Sequence, residues 1–156
     1  PDEVVIKLVQ DRVKQPDCAS GFLLDGFPRT VTQAENLEVM LGESGITLDG
    51  VLDFEVDEEE LIRRLSGRRV CPQCGATYHV INMPPKKPDE CDQCGAKLEQ
   101  RADDMPESVR MRLREYQAKT APVLDFYRGR NLLRVIDASG TPDEVYARTI
   151  AVIGGR

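Results

Sequence analysis

The sequence predicts an α/β domain in which helices cover both faces of a parallel sheet, with one small zinc-ribbon-like lobe inserted into it. Three observations support this. The length of 156 residues suits one domain with a sizeable core. Short apolar runs alternate with segments of helical periodicity. Four of the five cysteines fall into two CxxC pairs within a stretch that interrupts the alternation.

The first part of the core is predicted as helix, strand, helix. Residues 2–14 have the period of an amphipathic helix, whose apolar face consists of Val5, Leu8, Val9 and Val13. The run GFLLDGF over residues 21–27 is predicted to be a buried strand that ends at polar residues. A helix then follows over 32–41, where the spacing of Thr32 and Glu35 indicates a capping box.

The remaining elements continue the alternation on both sides of the inserted lobe. A second strand is predicted over 51–56 and a helix over 57–69, with its arginines near the C-terminal end. After the lobe, a helix capped by Asp104 runs to residue 128 with a break near Pro122. A third strand over 132–137 and a last helix complete the pattern, and the last helix begins with a capping box formed by Thr141 and Glu144.

Composition and charge restrict the possible partners. The chain has 27 acidic residues against 21 Lys and Arg, a net charge of -6, which argues against a nucleic-acid-binding surface. Any anion site must therefore be a local cluster of arginines. No apolar run approaches the roughly 18 residues of a membrane span. The chain begins at Pro1 without a leader pattern, so no secretory signal is visible and a cytoplasmic location is expected. Because the first residue is not a methionine, the true start is expected to be missing.

The cysteine spacing predicts a metal site. Cys71, Cys74, Cys91 and Cys94 form the segments CPQCG and CDQCG, separated by 16 residues. This spacing is typical of a structural zinc site with four thiolates, which leaves no open position for a catalytic water. A redox CxxC or a disulfide framework is less consistent with two pairs and no sign of an oxidising compartment. Cys18 stands apart and is predicted to be a half-buried thiol.

Four arginines lie at element ends or beside the lobe: Arg29, Arg68, Arg101 and Arg112. Guanidinium groups bind phosphate oxygens bidentately, although ion pairing with the many acids is an equally good explanation for any one of them. Asp25 could hold magnesium-bound waters. No nucleophile or general base is apparent, and His79 is interpreted as a lobe residue. A site of arginines and one aspartate favours phosphoryl transfer, which needs positioning and charge neutralisation.

These residues carry a resemblance to a known family. LLDGFPRT at 23–30 with Gln33, GRRVCPQCG at 67–75, TYHV at 77–80, RADD at 101–104 and VRMRL at 109–113 all resemble adenylate kinase of the long bacterial type, which has a zinc-bearing lid. The resemblance covers essentially the whole chain. It implies the parallel sheet of P-loop nucleoside monophosphate kinases, with a partial core at 1–66, the lid at 67–103 and more core at 104–156.

The resemblance also implies roles for individual residues. AMP would be contacted by Gly26, Phe27, Pro28, Arg29 and Gln33. Arg101 and Arg112 would bridge AMP and the transferring phosphoryl group, while Arg68 would hold ATP phosphates and Asp25 would act with magnesium. Arg64, Thr77, Tyr78 and the Gly140 backbone would line the ATP side. The implied reaction gives two ADP from ATP and AMP, with Mg²⁺ accompanying ATP and a monomeric enzyme closing its lid to exclude water.

One feature departs from the family. A strand, a glycine-rich P-loop and its lysine are expected at the start of the family's fold, but no GxxxxGK segment occurs in this sequence. We therefore expect an N-terminally truncated chain that lacks its first strands and is inactive by itself.

Two other functions stay open at this level. Another nucleoside monophosphate kinase would use a similar strand and arginines, but Gln33 and the four-cysteine lobe favour adenylate kinase. A zinc-ribbon module that binds nucleic acid would need a basic, aromatic-rich face, which TYHVINMPPKKPDECDQCGAKLEQ lacks.

Overall fold

The computed structural model describes residues 2–154, and the side chains of residues 4–154. It is a mixed α/β structure. The elements are α1 (Asp2–Val13), α2 (Val31–Glu43), β1 (Val51–Glu55), α3 (Glu58–Ser66), β2 (Arg68–Val70), β3 (Thr77–His79), α4 (Pro106–Lys119), α5 (Ala121–Arg128), β4 (Leu133–Asp137) and α6 (Pro142–Gly154). Two 3-10 turns occupy Pro16–Cys18 and Ala102–Asp104.

The core sheet among the described residues is the pair β1 and β4. The Val51 N–H donates to Leu132 O at 2.9 Å, and the Ala138 N–H donates to Glu55 O at 2.7 Å. The partner residues therefore advance together along both strands, which makes the pair parallel. This confirms the parallel sheet and the strands predicted over 51–56 and 132–137.

The strand predicted over residues 21–27 is wrong. These residues are irregular, with a bend at Asp25 and Gly26. The apolar signal came from burial, because Phe22, Leu24 and Phe27 pack against the core without joining a ladder. A strand needs a partner for its backbone hydrogen bonds. Within residues 2–154 the core sheet contains only β1 and β4, so this segment has no strand beside it.

One compact unit contains residues 1–54, 115–136 and 148–156. Its first core cluster joins α1 to α2 through Val13, Leu37, Met40 and Leu41. Ile6 and Val9 pack against this cluster, whereas Leu8 is 64% exposed. The helix predicted over 2–14 is confirmed, but Val5, which is 37% exposed, and Leu8 do not belong to its buried face.

The second cluster of this unit packs α5 against α2. Ala34, Val123 and Tyr127 are fully buried or nearly so. At its edge, Arg130 lies over the Phe126 ring at 3.5 Å and binds both carboxylate oxygens of Glu38 at 2.7 and 2.8 Å. A bidentate ion pair combined with stacking on an aromatic ring fixes a guanidinium in a single orientation.

The other compact unit contains residues 55–114 and 137–147. In it, β2 and β3 pair antiparallel, with Arg68 opposite His79 and Val70 opposite Thr77. Tyr78 lies in β3 of this hairpin, and the four cysteines and Leu98 belong with it to the part of the chain that we call the lobe (residues 67–103). The predicted division of the chain at residues 66 and 103 stays a prediction.

Three helix boundaries differ from those predicted. Thr30, not Thr32, caps α2, accepting from the Gln33 N–H at 3.2 Å. Helix α3 ends at Ser66, so Arg68 and Arg69 belong to a strand instead of the helix predicted over 57–69. Asp104 is fully buried and pairs with Arg68, so it is not the predicted cap of α4.

Two predicted boundaries are confirmed. The break in the long helix falls at Thr120, two residues before Pro122. The capping box of α6 forms as predicted, because the Thr141 N–H donates to Glu144 Oε2 at 2.7 Å and the Glu144 N–H donates to Thr141 Oγ1 at 3.3 Å. No helix among residues 2–154 combines the length and the apolar character needed to cross a membrane.

A close contact between Gly67 and His79 lies at the base of the lobe. The Val80 N–H donates to Gly67 O at 3.0 Å, and His79 Nδ1 accepts from the N–H groups of Ile81 and Asn82 at 3.1 and 3.0 Å. A Cβ atom at position 67 would lie 2.3 Å from His79 Nε2. The imidazole therefore occupies the space that any larger residue at position 67 would need.

We expect Gly67→Ala to destabilise the protein by about 1–3 kcal/mol, because His79 must move and release the turn that it holds. Thermal unfolding followed by circular dichroism measures the effect. Gly42→Ala is the matched control, since Gly42 lies in α2 with open space around its Cβ position. Alanine there should stabilise by about 0.5–1 kcal/mol. Equal melting temperatures for Gly67→Ala and wild type would contradict the steric argument.

Candidate functional site

The four cysteines of the two CxxC pairs come together in one cluster. Their Sγ atoms all lie within 4.8 Å of one another. Three of the separations are 3.4 Å for Cys71 and Cys94, 3.5 Å for Cys74 and Cys91, and 3.7 Å for Cys74 and Cys94. A tetrahedral zinc ion with Zn–S bonds of about 2.3 Å requires sulfur atoms about 3.8 Å apart. The donor set and its spacing therefore fit a four-thiolate metal ion.

The two halves of the cluster are built alike. In the segment CPQCGA, the Cys71 N–H donates to Ala76 O at 2.8 Å and the Gly75 N–H donates to Cys71 O at 3.0 Å. In CDQCGA, Cys91, Ala96 and Gly95 repeat these bonds at 2.8 and 2.9 Å. Gly75 and Gly95 have φ of +76° and +73°, a conformation that favours glycine. The repeated tetrapeptide thus produces two matching turns that present thiols to one centre.

Tyr78 supports the cluster from inside the lobe. It is buried, its hydroxyl lies 3.5 Å from Cys91 Sγ, and it accepts from the Asp92 N–H at 2.9 Å. The hydrogen bond from Tyr78, together with the backbone N–H groups of Gln93 and Cys94, lowers the pKa of Cys91 to about 6. These donors favour the thiolate, which is the form that binds metal.

The base of the lobe is closed by four residues that we call the lobe neck: Ser66, Arg68, Gln100 and Asp104. Arg68 binds Asp104 in a bidentate pair, with Nε at 2.9 Å from Oδ2 and the second nitrogen on Oδ1. Gln100 Nε2 donates to Ser66 O at 2.9 Å and to Asp104 O at 3.1 Å. The neck therefore joins β2, the first strand of the lobe, to the 3-10 turn at Ala102–Asp104, where the lobe ends.

Asp104 is the electrostatic centre of an arginine cluster. The hydrogen bonds from Arg68 lower its pKa below the ordinary value of 3.8, and the charges of Arg101 and Arg112 lower it further. Arg101 is largely exposed, with a long contact of 3.5 Å to Asp103, and Arg112 is exposed on α4. Arg68 thus pairs directly with the buried carboxylate, and the charges of Arg101 and Arg112 also act on it.

Arg64 and Gly140, both predicted on the ATP side, are brought together. Arg64 Nε donates to Glu60 Oε1 at 2.8 Å, and its terminal nitrogens donate to Ala138 O at 3.0 Å and Gly140 O at 3.2 Å. The guanidinium is therefore held against the turn between β4 and α6. A planar cation held this way offers a face for stacking.

The segment from Asp25 to Gln33, a loop followed by the first turn of α2, forms the second candidate site. Asp25, Gly26 and Arg29 are exposed, whereas Gln33 is buried. Arg29 Nε donates to Gly26 O at 2.7 Å, and the Arg29 N–H donates to Gln33 Oε1 at 2.7 Å. Phe27 packs on the core, followed by Pro28 across a cis peptide bond. Gly26, Arg29 and Gln33 therefore form one hydrogen-bonded arrangement.

The remaining predicted residues divide by exposure. Thr77 is exposed on β3, whereas its neighbour Tyr78 is buried. Cys18 is half-buried, as predicted, with its sulfur 2.9 Å from an Arg12 nitrogen. Gln100 was not predicted as a structural member of the neck, and Asp104 was predicted as a helix cap instead of the partner of Arg68. The acidic pair that follows Arg101 in RADD was the available signal.

Asp104→Asn should destabilise the protein by about 1–3 kcal/mol at neutral pH, because Arg68 loses its charged acceptor. Since the folded pKa of Asp104 is lowered, its contribution is present above the ordinary pKa of 3.8 and is lost as pH falls through the folded value. The variant should therefore lose less stability than wild type on acidification below about pH 4. Urea unfolding at several pH values measures both effects.

Asp103→Asn is the matched control, since the Asp103 side chain is 69% exposed and its contact with Arg101 is long. A surface pair of this kind contributes at most about 1 kcal/mol. If both variants had the same stability at every pH, the buried pair would not hold the neck.

Comparisons with known proteins agree with this geometry. The sequence pattern of the adenylate kinase family, described as "Adenylate kinase", matches residues 1–132. The adenylate kinase of Carboxydothermus hydrogenoformans is 58% identical over 147 residues, covering 94% of this chain and 69% of the relative. The adenylate kinase of a Thermoanaerobacter species is 50% identical, covering 100% of this chain and 72% of the relative. That of Methanocella arvoryzae is 51% identical, covering 98% of this chain and 71% of the relative. This chain belongs to the adenylate kinase family.

Proposed function

We propose that this protein serves the reversible transfer of the γ-phosphoryl group of ATP to AMP, which gives two ADP. The bond from the γ-phosphorus to the bridging oxygen breaks, and a bond to an AMP phosphate oxygen forms. The observation that carries the proposal is the pairing of Arg68 with the buried Asp104, on which the charges of Arg101 and Arg112 also act. Positioned guanidinium groups stabilise the charge that spreads over the transferring phosphoryl oxygens.

The loop from Gly26 to Gln33 is the proposed AMP site. Arg29 would bind the AMP phosphate, because its guanidinium is exposed and oriented by its bond to Gly26 O. Gln33 would read the adenine edge, for which a carboxamide offers a donor and an acceptor. Its Oε1 already accepts from the Arg29 N–H, so Gln33 also supports the loop. Phe27 and Pro28 would line the same site.

The proposed ATP contacts come from the unit that contains the lobe. Arg68 would hold ATP phosphates, and Arg101 and Arg112 would act on the phosphoryl group and AMP. The adenine would lie against Arg64 and the Gly140 backbone, which share a hydrogen bond. Thr77 is exposed and would line the ATP side. Tyr78 was predicted on the same side, but we assign it to the lobe's interior, because the Tyr78 hydroxyl is engaged with Cys91 and Asp92.

We propose that two metal ions bind: Mg²⁺ together with ATP, and zinc in the four-cysteine cluster. Asp25 is exposed, which suits contact with the waters of a hydrated Mg²⁺ accompanying ATP. When bound, Mg²⁺ neutralises phosphate charge. Zinc in the four-thiolate cluster would be structural, since four thiolates leave no position for water. We also propose that the protein is a cytoplasmic monomer that binds neither nucleic acid nor a membrane.

The activity has a direct test. A coupled assay for ADP formation would compare residues 1–156 alone with the same residues joined to a P-loop segment of the family. Residues 1–156 contain no GxxxxGK, the loop that cradles ATP phosphates, so we expect no ADP formation from them alone. The joined protein should convert ATP and AMP, but not CMP or UMP.

Arg112→Ala should abolish most activity of the joined protein, while Arg114→Ala, its exposed neighbour on the same helix, should not. Magnesium-dependent ADP formation by residues 1–156 alone would show that the phosphates bind elsewhere in the chain. Equal use of other monophosphates would favour a different nucleotide kinase.

Zinc is expected to supply much of the lobe's folding free energy. The lobe's buried cluster is limited to Cys71, Tyr78, Cys91 and Leu98, with Ala76 and Ala96 beside it, which is little apolar surface. Cys91→Ser should therefore lower zinc stoichiometry and melting temperature. Atomic absorption and calorimetry measure these two quantities. Cys18→Ser is the control, because Cys18 lies outside the cluster and should leave the stoichiometry unchanged. Full zinc content in Cys91→Ser would remove Cys91 from the ligand set.

A further inference from the structure

Thr120 lies at the junction between α4 and α5, at the first position outside α5. A threonine in this position ordinarily uses its hydroxyl to accept a hydrogen bond from the first turn of the helix. Thr120 makes no such bond. Its Oγ1 instead donates to the carbonyl oxygen of Arg29 at 3.0 Å, across 91 positions in the sequence.

The sequence of the helix start explains why this hydroxyl is available. Pro122 occupies the second position of α5 and has no N–H to donate. The N–H of Val123, at the third position, donates to the backbone carbonyl of Thr120 at 2.9 Å. Neither N–H that a cap residue normally serves therefore requires the Thr120 side chain. The tripeptide Thr-Ala-Pro begins a helix and leaves the hydroxyl for another partner.

The contact completes a set of restraints on Arg29. Its N–H donates to Gln33 Oε1 at 2.7 Å, its carbonyl accepts from Thr120, and its Nε donates to Gly26 O at 2.7 Å. The backbone is thus held from both sides. The guanidinium keeps its two terminal nitrogens as donors. An arginine that binds a phosphate through such donors depends on its backbone position, because small displacements weaken bidentate contacts.

We propose that Thr120 is a positioning residue for the AMP phosphate: its hydroxyl fixes the Arg29 carbonyl and so aims the guanidinium. This inference rests on the proposed function, in which Arg29 binds the AMP phosphate. Thr120 itself touches no substrate. Its effect should be specific to AMP, since the residues proposed for ATP are not held by this contact.

The test uses Thr120→Val and Thr120→Ser in the kinase joined to the family's P-loop segment. Valine keeps the shape of threonine and removes the donor, and serine restores the donor. We expect Thr120→Val to raise the KM for AMP about 3- to 10-fold. The KM for ATP and the kcat at saturating AMP should stay within about twofold of wild type. Thr120→Ser should return the KM for AMP to near the wild-type value.

Several outcomes would overturn the inference while leaving the proposed function intact. These are an unchanged KM for AMP in Thr120→Val, equal increases for AMP and ATP, or no recovery with serine. Failure of the joined kinase with unaltered residues 1–156 to phosphorylate AMP would instead remove the proposed function itself. Thermal melting of each variant tests for a general folding defect. If valine lowered the melting temperature strongly, a normal KM for AMP in the folded fraction at low temperature would still count against the inference.

Discussion

The buried carboxylate of Asp104 is the constraint on which the lobe neck and its arginine cluster depend. A charge without solvent must be paired and hydrogen-bonded, or its burial is strongly unfavourable. Arg68 meets this requirement with two bonds, and Gln100 ties the Asp104 backbone to the end of α3. The same carboxylate attracts Arg101 and Arg112. A residue that contributes no proposed substrate contact therefore holds Arg68, one of the three arginines proposed to neutralise phosphate.

Arg29 is likewise held in place by hydrogen bonds, but its partners are neutral. Here a carboxamide, a hydroxyl and a carbonyl hold the arginine through its backbone and its Nε. None of these partners cancels the positive charge, whereas Asp104 offsets part of the charge around the neck. In a chain with a net charge of -6, this difference matters, because acids placed nearer to Arg29 would reduce its attraction for an anion.

Local rules predicted a large share of this structure. The strands at 51–56 and 132–137, the capping box of Thr141 and Glu144, and the grouping of four cysteines all depend on residues close in sequence or on a fixed motif. Failures occurred where a distant partner decides the outcome. Residues 21–27 have strand composition but no neighbouring strand within the described chain, and Asp104 has helix-cap composition but a partner 36 residues away. The role of Thr120 could not be predicted either, because its acceptor lies 91 residues away.

The lobe shows how a small module can be fixed with little apolar core. Its internal fold depends on the two CxxC turns that converge on one centre, while its attachment to α3 depends on the neck and on His79 filling the space beside Gly67. These restraints use different chemistry, a cluster of thiols in one case and a carboxylate–guanidinium pair in the other. A change at the cysteines therefore removes a thiol from the four-cysteine cluster, whereas a change at Asp104 removes the partner that both orients Arg68 and stabilises the neck.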